Sequence, residues 1–276
     1  MPGLRWSSWL RRIIAIFVLG LLILLGLAYY IFKPYGAFGS ETFVEIPRGT
    51  PTSQIARRLA AAGVIRSEFL FLAVRAIRPH STVKAGEYRF KEPATPWAVF
   101  DRMARGDVYL ISITVPEGRN MFDIADHLDS LKVVSREDFL AAARDPSLIR
   151  DLAPEAPSLE GYLFPDTYRF PRRITAADLT KMMTDRFRVV WKSLGATQSD
   201  VHRVVTLASL VETEARLPEE RPLVASVFAN RLRAGMPLQA DPTTVYAALL
   251  ENRYRGRIFA SDLANPHPYN TYRRPG

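Results

Sequence analysis

The sequence contains no cysteine among its 276 residues. This absence excludes a disulfide framework and any metal site built on thiolates. It suits an enzyme that works outside the cytoplasm, although many cytosolic proteins also lack cysteine. Low-complexity tracts are absent too, so the sequence does not predict extensive disorder.

Motifs for binding nucleic acid are also missing. The net charge is +9, from 37 Lys and Arg against 28 Asp and Glu, but beyond the N-terminus the basic residues are scattered. No recognition helix, RNA-recognition motif or zinc motif is present. The charge therefore points only weakly to an anionic surface or polymer, and we expect no nucleic-acid partner.

One long apolar run is present. Residues 13–32, IIAIFVLGLLILLGLAYYIF, contain no charged side chain. As a helix rising ~1.5 Å per residue they would span about 30 Å, the thickness of a bilayer's hydrocarbon core. A signal-peptide core would be shorter and would lead to a small-residue cleavage site, which we do not find. We therefore predict a single transmembrane helix.

The charges around this run predict its orientation. Arg5, Arg11 and Arg12 precede it, whereas only Lys33 follows closely. Positive charge stays on the cytoplasmic side of a membrane. Residues 1–12 are thus predicted to be a cytoplasmic tail, and the chain after the helix is predicted to lie outside the membrane.

Two stretches, 44–70 and 113–140, resemble each other. In both, a short alternating segment ends at a Pro-x-Gly turn, and a helix follows with apolar residues three and four apart. A second helix is expected after Ser67 and after Ser135, which are candidate caps. The matching pairs are Pro47 and Pro116, Gly49 and Gly118, Ile55 and Ile124, Ala56 and Ala125, Leu59 and Leu128, Val64 and Val133, and, after one inserted residue, Phe69 and Phe139.

The first stretch is followed by VKAGEYRF, residues 83–90, which alternates like a returning strand. The βααβ order resembles LysM modules, which bind N-acetylglucosamine polymers, and we predict such a module over 41–92. A repeated packing unit that binds nothing is the alternative. We favour that alternative for the second copy, a βαα unit at 111–145, and leave both interpretations open for the first.

The segment LEGYLFPDTYRFP, residues 159–171, combines aromatic and acidic side chains. Its prolines break any helix, so a strand and a turn are predicted. Aromatic rings can stack on the apolar face of a sugar, and carboxylates accept hydrogen bonds from its polar groups. A core strand with a capping Asp is the alternative. The side chains are Glu160, Tyr162, Phe164, Asp166, Tyr168 and Phe170.

A helix predicted over 199–216, SDVHRVVTLASLVETEAR, carries two glutamates. At ~100° per residue, Glu212 falls within the apolar arc, whereas Glu214 faces the opposite, solvated side. Burial would let Glu212 keep its proton to higher pH than a free glutamate, as a general acid/base requires. Pairing with a buried arginine such as Arg231 is the alternative. The apolar arc comprises Val201, Val204, Val205, Ala208, Val211 and Ala215.

Local signals bound the helices of this region. Ser199 or Asp200 is a candidate cap for the first helix, and Gly235 is the expected end of the second. After the loop MPLQA, Asp241-Pro242 is predicted to cap a third helix. Gln239 and Asp241 would then lie near a helix start. The final stretch HPYNTY, residues 267–272, adds polar and aromatic groups.

The apolar helix followed by LEGYLFPDTY, ASLVETEA, VASVFANRLRAGMPLQADPTTVY and YNTY resembles the endolytic murein transglycosylases of the YceG-like type. The resemblance covers nearly the whole chain. It implies an α+β fold in which a single inner-membrane helix precedes a LysM-like module and a mixed, helix-rich catalytic domain over 108–276 in the periplasm. Because the family continues beyond YNTY, we expect this sequence to be a C-terminally truncated copy.

The resemblance also implies an activity. Family members cleave within peptidoglycan glycan strands and leave 1,6-anhydro-N-acetylmuramic acid ends, which limits the length of nascent strands. Their catalytic glutamate corresponds to Glu212. The expected partners are glycan strands, the membrane and, by co-location, peptidoglycan synthases. The predicted substrate-binding residues are Glu160, Tyr162, Phe164, Asp166, Tyr168, Gln239, Asp241, Asn270 and Tyr272.

A single carboxyl group is enough for this reaction. It would donate a proton to the glycosidic oxygen and then take one from the 6-hydroxyl of the muramic acid as that oxygen attacks C1. We therefore expect no metal and no cofactor. Two alternatives stay open: a glycan hydrolase with Asp241 or Glu160 as the base, and a membrane-anchored wall-binding protein without catalysis.

Overall fold

The computed structural model describes residues 8–195 and 200–274. The chain divides into two compact units, Met1–Ile111 and Ser112–Gly276. Both units combine helices with short strands, and helices predominate. The predicted α+β, helix-rich class is therefore confirmed.

In the first unit, a long helix precedes a small two-layer core. Strands β1 and β2 pair antiparallel, with Val44 opposite Tyr88, and three short helices complete the unit. The elements are α1 (Ser8–Phe32), β1 (Thr42–Ile46), α2 (Thr52–Ala61), α3 (Glu68–Ile77), β2 (Gly86–Phe90) and α4 (Pro96–Arg105).

The core of the first unit is made by the inward face of each element. Along β1, Val44 and Ile46 are buried and Glu45 between them is exposed, as the alternation of a strand requires. Phe71 of α3 contacts Phe100 of α4, with ring centroids 5.4 Å apart. Buried residues of β1, α2, α3, β2 and α4 belong to a single hydrophobic cluster, so these elements form one unit.

Helix α1 is long and apolar enough to cross a membrane, by length and composition. The span runs over Trp9–Phe32, with a mean hydropathy of 2.7. It begins earlier than the predicted 13–32 because the arginines ahead of the apolar run are good helix formers. At its other end, Ile31 is only 3% exposed and belongs to the core of the first unit. The apolar helix is thus continuous with the folded module.

The second unit begins with a strand and two helices and continues into a helical array. Helix α6 contacts α7, and α8 contacts both α9 and α10. The elements are β3 (Ile111–Thr114), α5 (Met121–Ser130), α6 (Arg136–Arg144), β4 (Thr167–Phe170), α7 (Ala176–Ser193), α8 (Val201–Glu214), α9 (Arg221–Arg233), α10 (Asp241–Leu250) and α11 (Ala260–Leu263).

The two similar stretches adopt the same order of elements. A strand, a Pro-x-Gly turn and two helices occur in both, and Gly49 and Gly118 have φ angles of 78° and 74°. The predicted caps are also confirmed, since the hydroxyl of Ser67 accepts from Phe69 N–H and that of Ser135 accepts from Asp138 N–H. The repeat is therefore structural as well as sequential.

One predicted match within the repeat is wrong. Phe69 is 73% exposed, whereas Phe139 is fully buried. Counted from the capping serine, Phe71 occupies the position of Phe139, and Phe71 is also fully buried. The cap sets the rotation of the helix, so burial follows the distance from the cap and not the nearest aligned letter.

The second copy also gains a returning strand. Strand β4, within the segment where we expected a strand and a turn, pairs with β3. The hydroxyls of Thr114 and Thr167 lie 2.8 Å apart at this pairing. Both copies therefore have the order βααβ, and residues 145–166 separate α6 from β4 in the second.

The helix boundaries predicted over residues 199–250 are largely right. Gly235 follows α9 with a φ of 64°, as a helix-ending glycine does. Asp200 occupies the cap position of α8 but makes no side-chain cap bond, and Ser199 lies outside the described residues. Ala240, not Asp241, is the cap of α10.

Candidate active site

A large open cleft, about 1430 Å³ in volume, lies in the second unit. Its walls come mainly from the turn at 117–120, the loop at 157–165, helices α8 and α10, and residues 268–274. Most of the surface is apolar, with a few charged groups set into it. This is the composition expected of a site that binds a ligand with both apolar and polar faces.

Glu212 lies on the wall of this cleft, in the last turn of α8. Its side chain is 33% exposed. Arg221, the first residue of α9, points Nη2 at both carboxylate oxygens, 3.0 Å from Oε2 and 3.2 Å from Oε1. The same nitrogen lies 3.8 Å from Glu117. Glu212 is therefore both paired and accessible.

The expected burial of Glu212 is thus wrong. The alternative, pairing with an arginine of the next helix, does occur, but the partner is Arg221 and not Arg231. Arg231 instead donates to the backbone oxygen of Leu238.

Val204, on the predicted apolar face of α8, is 48% exposed, and Ala208 is exposed as well. Both line the cleft. Within this apolar stripe Val201 and Val211 are buried, whereas Val204 and Ala208 form part of the cleft wall.

Glu214 also differs from its prediction. It is exposed, as expected, but it lines the same cleft as Glu212. The cleft wraps around the end of α8, so positions on nearly opposite sides of the helix both reach it. Glu214 is therefore close to the candidate site and not on a remote solvated face.

Glu160 lies deeper in the same cleft. Its Oε2 accepts a hydrogen bond from the backbone N–H of Met121, the first residue of α5, at 2.9 Å. It also accepts one from the side chain of Tyr246. Burial is the largest influence and raises the pKa of Glu160 above its usual value, while these hydrogen bonds act the other way. The group can therefore hold a proton more readily than a free glutamate.

Asp241 lines the cleft at the start of α10, and Tyr272 lies beside it. The hydroxyl of Tyr272 donates to Asp241 Oδ1 at 2.5 Å. This hydrogen bond is the main reason that the pKa of Tyr272 is raised to about 12. The two residues act as one hydrogen-bonded pair at the edge of the cleft.

Three of the predicted binding residues lie in the protein interior. Tyr162 is fully buried, and its hydroxyl lies 2.9 Å from His202 Nδ1. Tyr168 is 6% exposed and donates to the backbone oxygen of Phe164. Asn270 is fully buried. These three side chains are not part of the cleft wall. Each makes its hydrogen bonds inside the protein and so stabilises the segment around it.

The remaining predicted residues divide between wall and surface. Phe164 lines the cleft. Asp166 pairs with Arg186 at 2.5 Å and caps the backbone of Thr167, so it serves the start of β4. Gln239 is exposed in a left-handed conformation, with φ of 54°, and is not part of the cleft wall. Of the predicted substrate-binding residues, Glu160 and Asp241 line the same cleft as Glu212, whereas Gln239 does not.

The model of the YceG-like family matches residues 44–276 of the chain. The chain belongs to the YceG-like family. It is 34% identical over 253 residues to the endolytic murein transglycosylase of Bacillus subtilis, covering 84% of this chain and 69% of that protein. It is 28% identical over 265 residues to the protein of that name from Streptococcus pneumoniae, covering 84% and 48%.

A solved structure agrees with this assignment. The crystal structure of a yceG-like protein from Listeria monocytogenes superposes with a TM-score of 0.51 at 29% identity. The match covers 86% of this chain and 83% of that one. The architecture is therefore shared within the YceG-like family.

Several residues of this YceG-like cleft escaped sequence reasoning. Arg221, Glu117, Tyr246 and Tyr269 all line it. Arg221 belongs to the element after Glu212, and helical periodicity relates only residues within one helix. Tyr269 directly precedes Asn270 in the YNTY motif. The motif therefore indicated a segment of the cleft wall, but Tyr269, and not the predicted Asn270, lies on that wall.

Within residues 8–195 and 200–274, no group of three or more His, Asp or Glu side chains is arranged to hold a metal ion. The charged groups of the cleft are carboxylates and arginines, which suit proton transfer and hydrogen bonding.

Proposed function

We propose that this chain is a membrane-anchored endolytic murein transglycosylase. It cleaves the bond between N-acetylmuramic acid and N-acetylglucosamine inside peptidoglycan strands, leaves 1,6-anhydro-N-acetylmuramic acid ends, and thereby limits the length of nascent strands. Membership of the YceG-like family and the names of its curated relatives support this activity.

One observation carries the proposal: the carboxyl group of Glu212 lies on the wall of an open cleft and is one-third exposed. An acid/base group must reach both the glycosidic oxygen and the attacking hydroxyl. An open cleft lets a polymer pass through without presenting its end, which internal cleavage requires. The apolar stripe of α8 beside Glu212 offers a surface for sugar rings.

The reaction needs one group that first donates a proton and then accepts one. Glu212 donates its proton to the glycosidic oxygen as the bond from that oxygen to C1 of the muramic acid breaks. The 6-hydroxyl oxygen of the same sugar forms the new bond to C1, and Glu212 takes up the hydroxyl proton. No water is consumed, and the internal nucleophile gains from proximity.

In this scheme Arg221 orients Glu212 and must later release it. It holds the anionic carboxylate of Glu212 through both oxygens, which orients the group that accepts the hydroxyl proton. Proton donation needs the neutral form, so the Arg221 contact has to loosen when substrate binds. Glu117, 3.8 Å from the same guanidinium nitrogen, is the alternative acceptor.

The anchor and its orientation belong to the same proposal. Helix α1 is retained as a single-pass anchor in the inner membrane, with the N-terminus in the cytoplasm and the chain after α1 in the periplasm. The burial of Ile31 supports retention, because removal of α1 would take a core side chain from the first unit. The excess of arginine before the apolar run supports the orientation.

The first unit supplies a LysM-like module over 41–92, supported by its βααβ order. The catalytic domain over 108–276 follows it along the chain. Peptidoglycan synthases are the proposed protein partners, because they share both the membrane and the substrate.

The test is mass spectrometry of glycans released by the full-length protein in detergent or lipid nanodiscs. Glu212→Gln keeps the size of the side chain and removes its proton, so release of anhydro ends should fall by about 10²- to 10⁴-fold. Glu214 lines the cleft and is a poor control. Glu155→Gln is the matched control, since Glu155 is exposed and lies outside the cleft wall.

The outcomes separate the alternatives. A folded Glu212→Gln protein with undiminished anhydro product overturns the assignment of Glu212. Products heavier by one water identify a hydrolase, in which Glu160 or Asp241 of the same cleft would be the base. Binding of glycan without any product identifies a wall-binding protein.

A further inference from the structure

Tyr269 presents an aromatic ring on the wall of the cleft that contains Glu212. The side chain is 41% exposed. The other aromatic side chains described on this wall are less open: Phe187 and Trp191 are 7% and 8% exposed, and Tyr246 is partly buried. Phe164 is partly buried too, with the guanidinium of Arg186 over its ring. Tyr269 is thus the aromatic ring most available to a ligand.

We propose that Tyr269 is a substrate-binding residue on which a sugar ring of the glycan strand stacks; this inference rests on the proposed function. The C–H groups on one face of a pyranose form an apolar surface, and an aromatic ring matches it in size and polarity. Of the aromatic residues that the sequence predicts for this task, Tyr162 and Tyr168 are buried, Phe164 lies under Arg186, and the hydroxyl of Tyr272 is paired with Asp241. Tyr269 fills the role that they leave open.

The backbone beneath Tyr269 is held rigidly by Asn270. The two N–H groups at Nδ2 of this fully buried side chain are shared among the backbone oxygens of Asp262, Leu263 and Asn265, at 3.2, 3.0 and 2.7 Å. Its Oδ1 accepts from Tyr272 N–H at 3.0 Å. Preorganisation of this kind lowers the entropy lost on binding. Asn270 therefore serves the substrate by fixing the segment that presents Tyr269.

The Tyr269 ring is also supported from the side. Its centroid lies 5.5 Å from that of Tyr246 and 5.6 Å from that of His267. The hydroxyl of Tyr246 is in turn hydrogen-bonded to Glu160, which accepts from the start of α5. Glu160 is thus a positioning residue for the aromatic wall, two contacts away from the ring that meets the sugar.

Binding is the direct test, in a Glu212→Gln background so that the glycan is not consumed. The probe is peptidoglycan glycan strands freed of peptides, titrated against the full-length protein. Tyr269→Ala should raise Kd about tenfold, because the stacking surface is lost. Tyr269→Phe should stay within about twofold of the parent, since it keeps the ring. Tyr254→Ala is the matched control, because Tyr254 is 39% exposed and lies outside the cleft wall.

In the protein with Glu212 intact, Tyr269→Ala should raise KM more than it lowers kcat. Unchanged binding in Tyr269→Ala overturns the inference, as does an equal loss in Tyr269→Phe or no glycan binding by the parent. If the alanine variant is unfolded, Tyr269→Leu decides, since it keeps an apolar contact with Tyr246 but has no ring. Failure of the proposed function is seen separately, as glycan binding without anhydro product from the intact protein.

Discussion

The two βααβ copies of this chain share one design and differ in what lies between their last helix and their last strand. In the first copy, α3 leads within a few residues to β2, which pairs with β1. In the second, residues 145–166 intervene before β4 pairs with β3. The inserted loop carries Glu160 and lines the cleft. The longer connection in the second copy therefore forms part of the cleft wall.

The turn after the first strand shows the same divergence. Gly49 in the first copy is exposed, whereas Glu117, Gly118 and Asn120 in the second line the cleft. The backbone N–H of Met121, the first residue of α5, donates a hydrogen bond to Glu160. A turn of the same backbone geometry is therefore exposed in the first copy and part of the cleft wall in the second.

The largest expected effect tests the register between the copies. Phe71→Ala and Phe139→Ala should each destabilise their unit by about 3 to 5 kcal/mol, because both rings are fully buried. Phe69→Ala should change stability by less than about 0.5 kcal/mol, since Phe69 is 73% exposed. Hydrogen exchange of the full-length protein in detergent reports each unit separately. If Phe69→Ala destabilised its unit as much as Phe71→Ala, the alignment of Phe71 with Phe139 by distance from the capping serine would be contradicted.

The glycines of the two turns should cost the same in stability but differ in function. Gly49→Ala and Gly118→Ala each force a side chain into a left-handed conformation, at about 1 to 2 kcal/mol, with no steric clash at either Cβ. Only Gly118→Ala should also lower release of glycan product, because only that turn lines the cleft. Gly39→Ala is the control, as its Cβ also meets open space and its φ is not left-handed. Equal losses of activity at both turns would break the comparison.

The helix starts of the two copies are capped differently. Asn120 accepts from the N–H groups of Phe122 and Asp123 and forms a capping box, whereas Pro51 gives α2 no side-chain cap. Asn120→Ala should therefore cost about 1 kcal/mol. Ser53→Ala, at an exposed position in the first turn of α2, should change stability by less than about 0.5 kcal/mol. Denaturant unfolding measures both, and an unaffected Asn120→Ala protein would show that the cap is not needed.

The smallest expected effect is a pH dependence that belongs to the second copy alone. Burial raises the pKa of Glu160 in the folded protein, so its contribution to stability is present at low pH. That contribution is lost as pH rises from the usual glutamate value, about 4.3, through the raised one. Glu160→Gln has no ionisable group at this position and should not lose this stability. As pH rises through this range, the Tm of Glu160→Gln should therefore increase relative to that of the wild type. Glu155→Gln should follow the wild type; a Glu160→Gln protein that also follows it would exclude the burial effect.

Much of the fold could be predicted from the sequence because its signals are local. The apolar run of α1, the caps Ser67 and Ser135 and the stop at Gly235 each act within a turn or two of their own position. The family resemblance also pointed to Glu212, Glu160 and Asp241, which the structure brings into one cleft. The sequence was less informative about tertiary surroundings. Glu212 pairs with Arg221 and not with Arg231, Val204 on α8 is exposed, and Tyr162 and Asn270, predicted to bind substrate, are buried.

By itself, the sequence determined the elements, their order, the repeated unit and the family of this protein. Spacing and capping decide these through contacts between neighbours in the chain. Only the tertiary structure decided which apolar face is core and which is cleft, that Arg221 meets Glu212, and that Asn270 is buried beneath an exposed Tyr269. Periodicity gives the direction of a side chain on its own helix. What that side chain meets depends on elements that are distant in sequence and are brought together only when the chain packs.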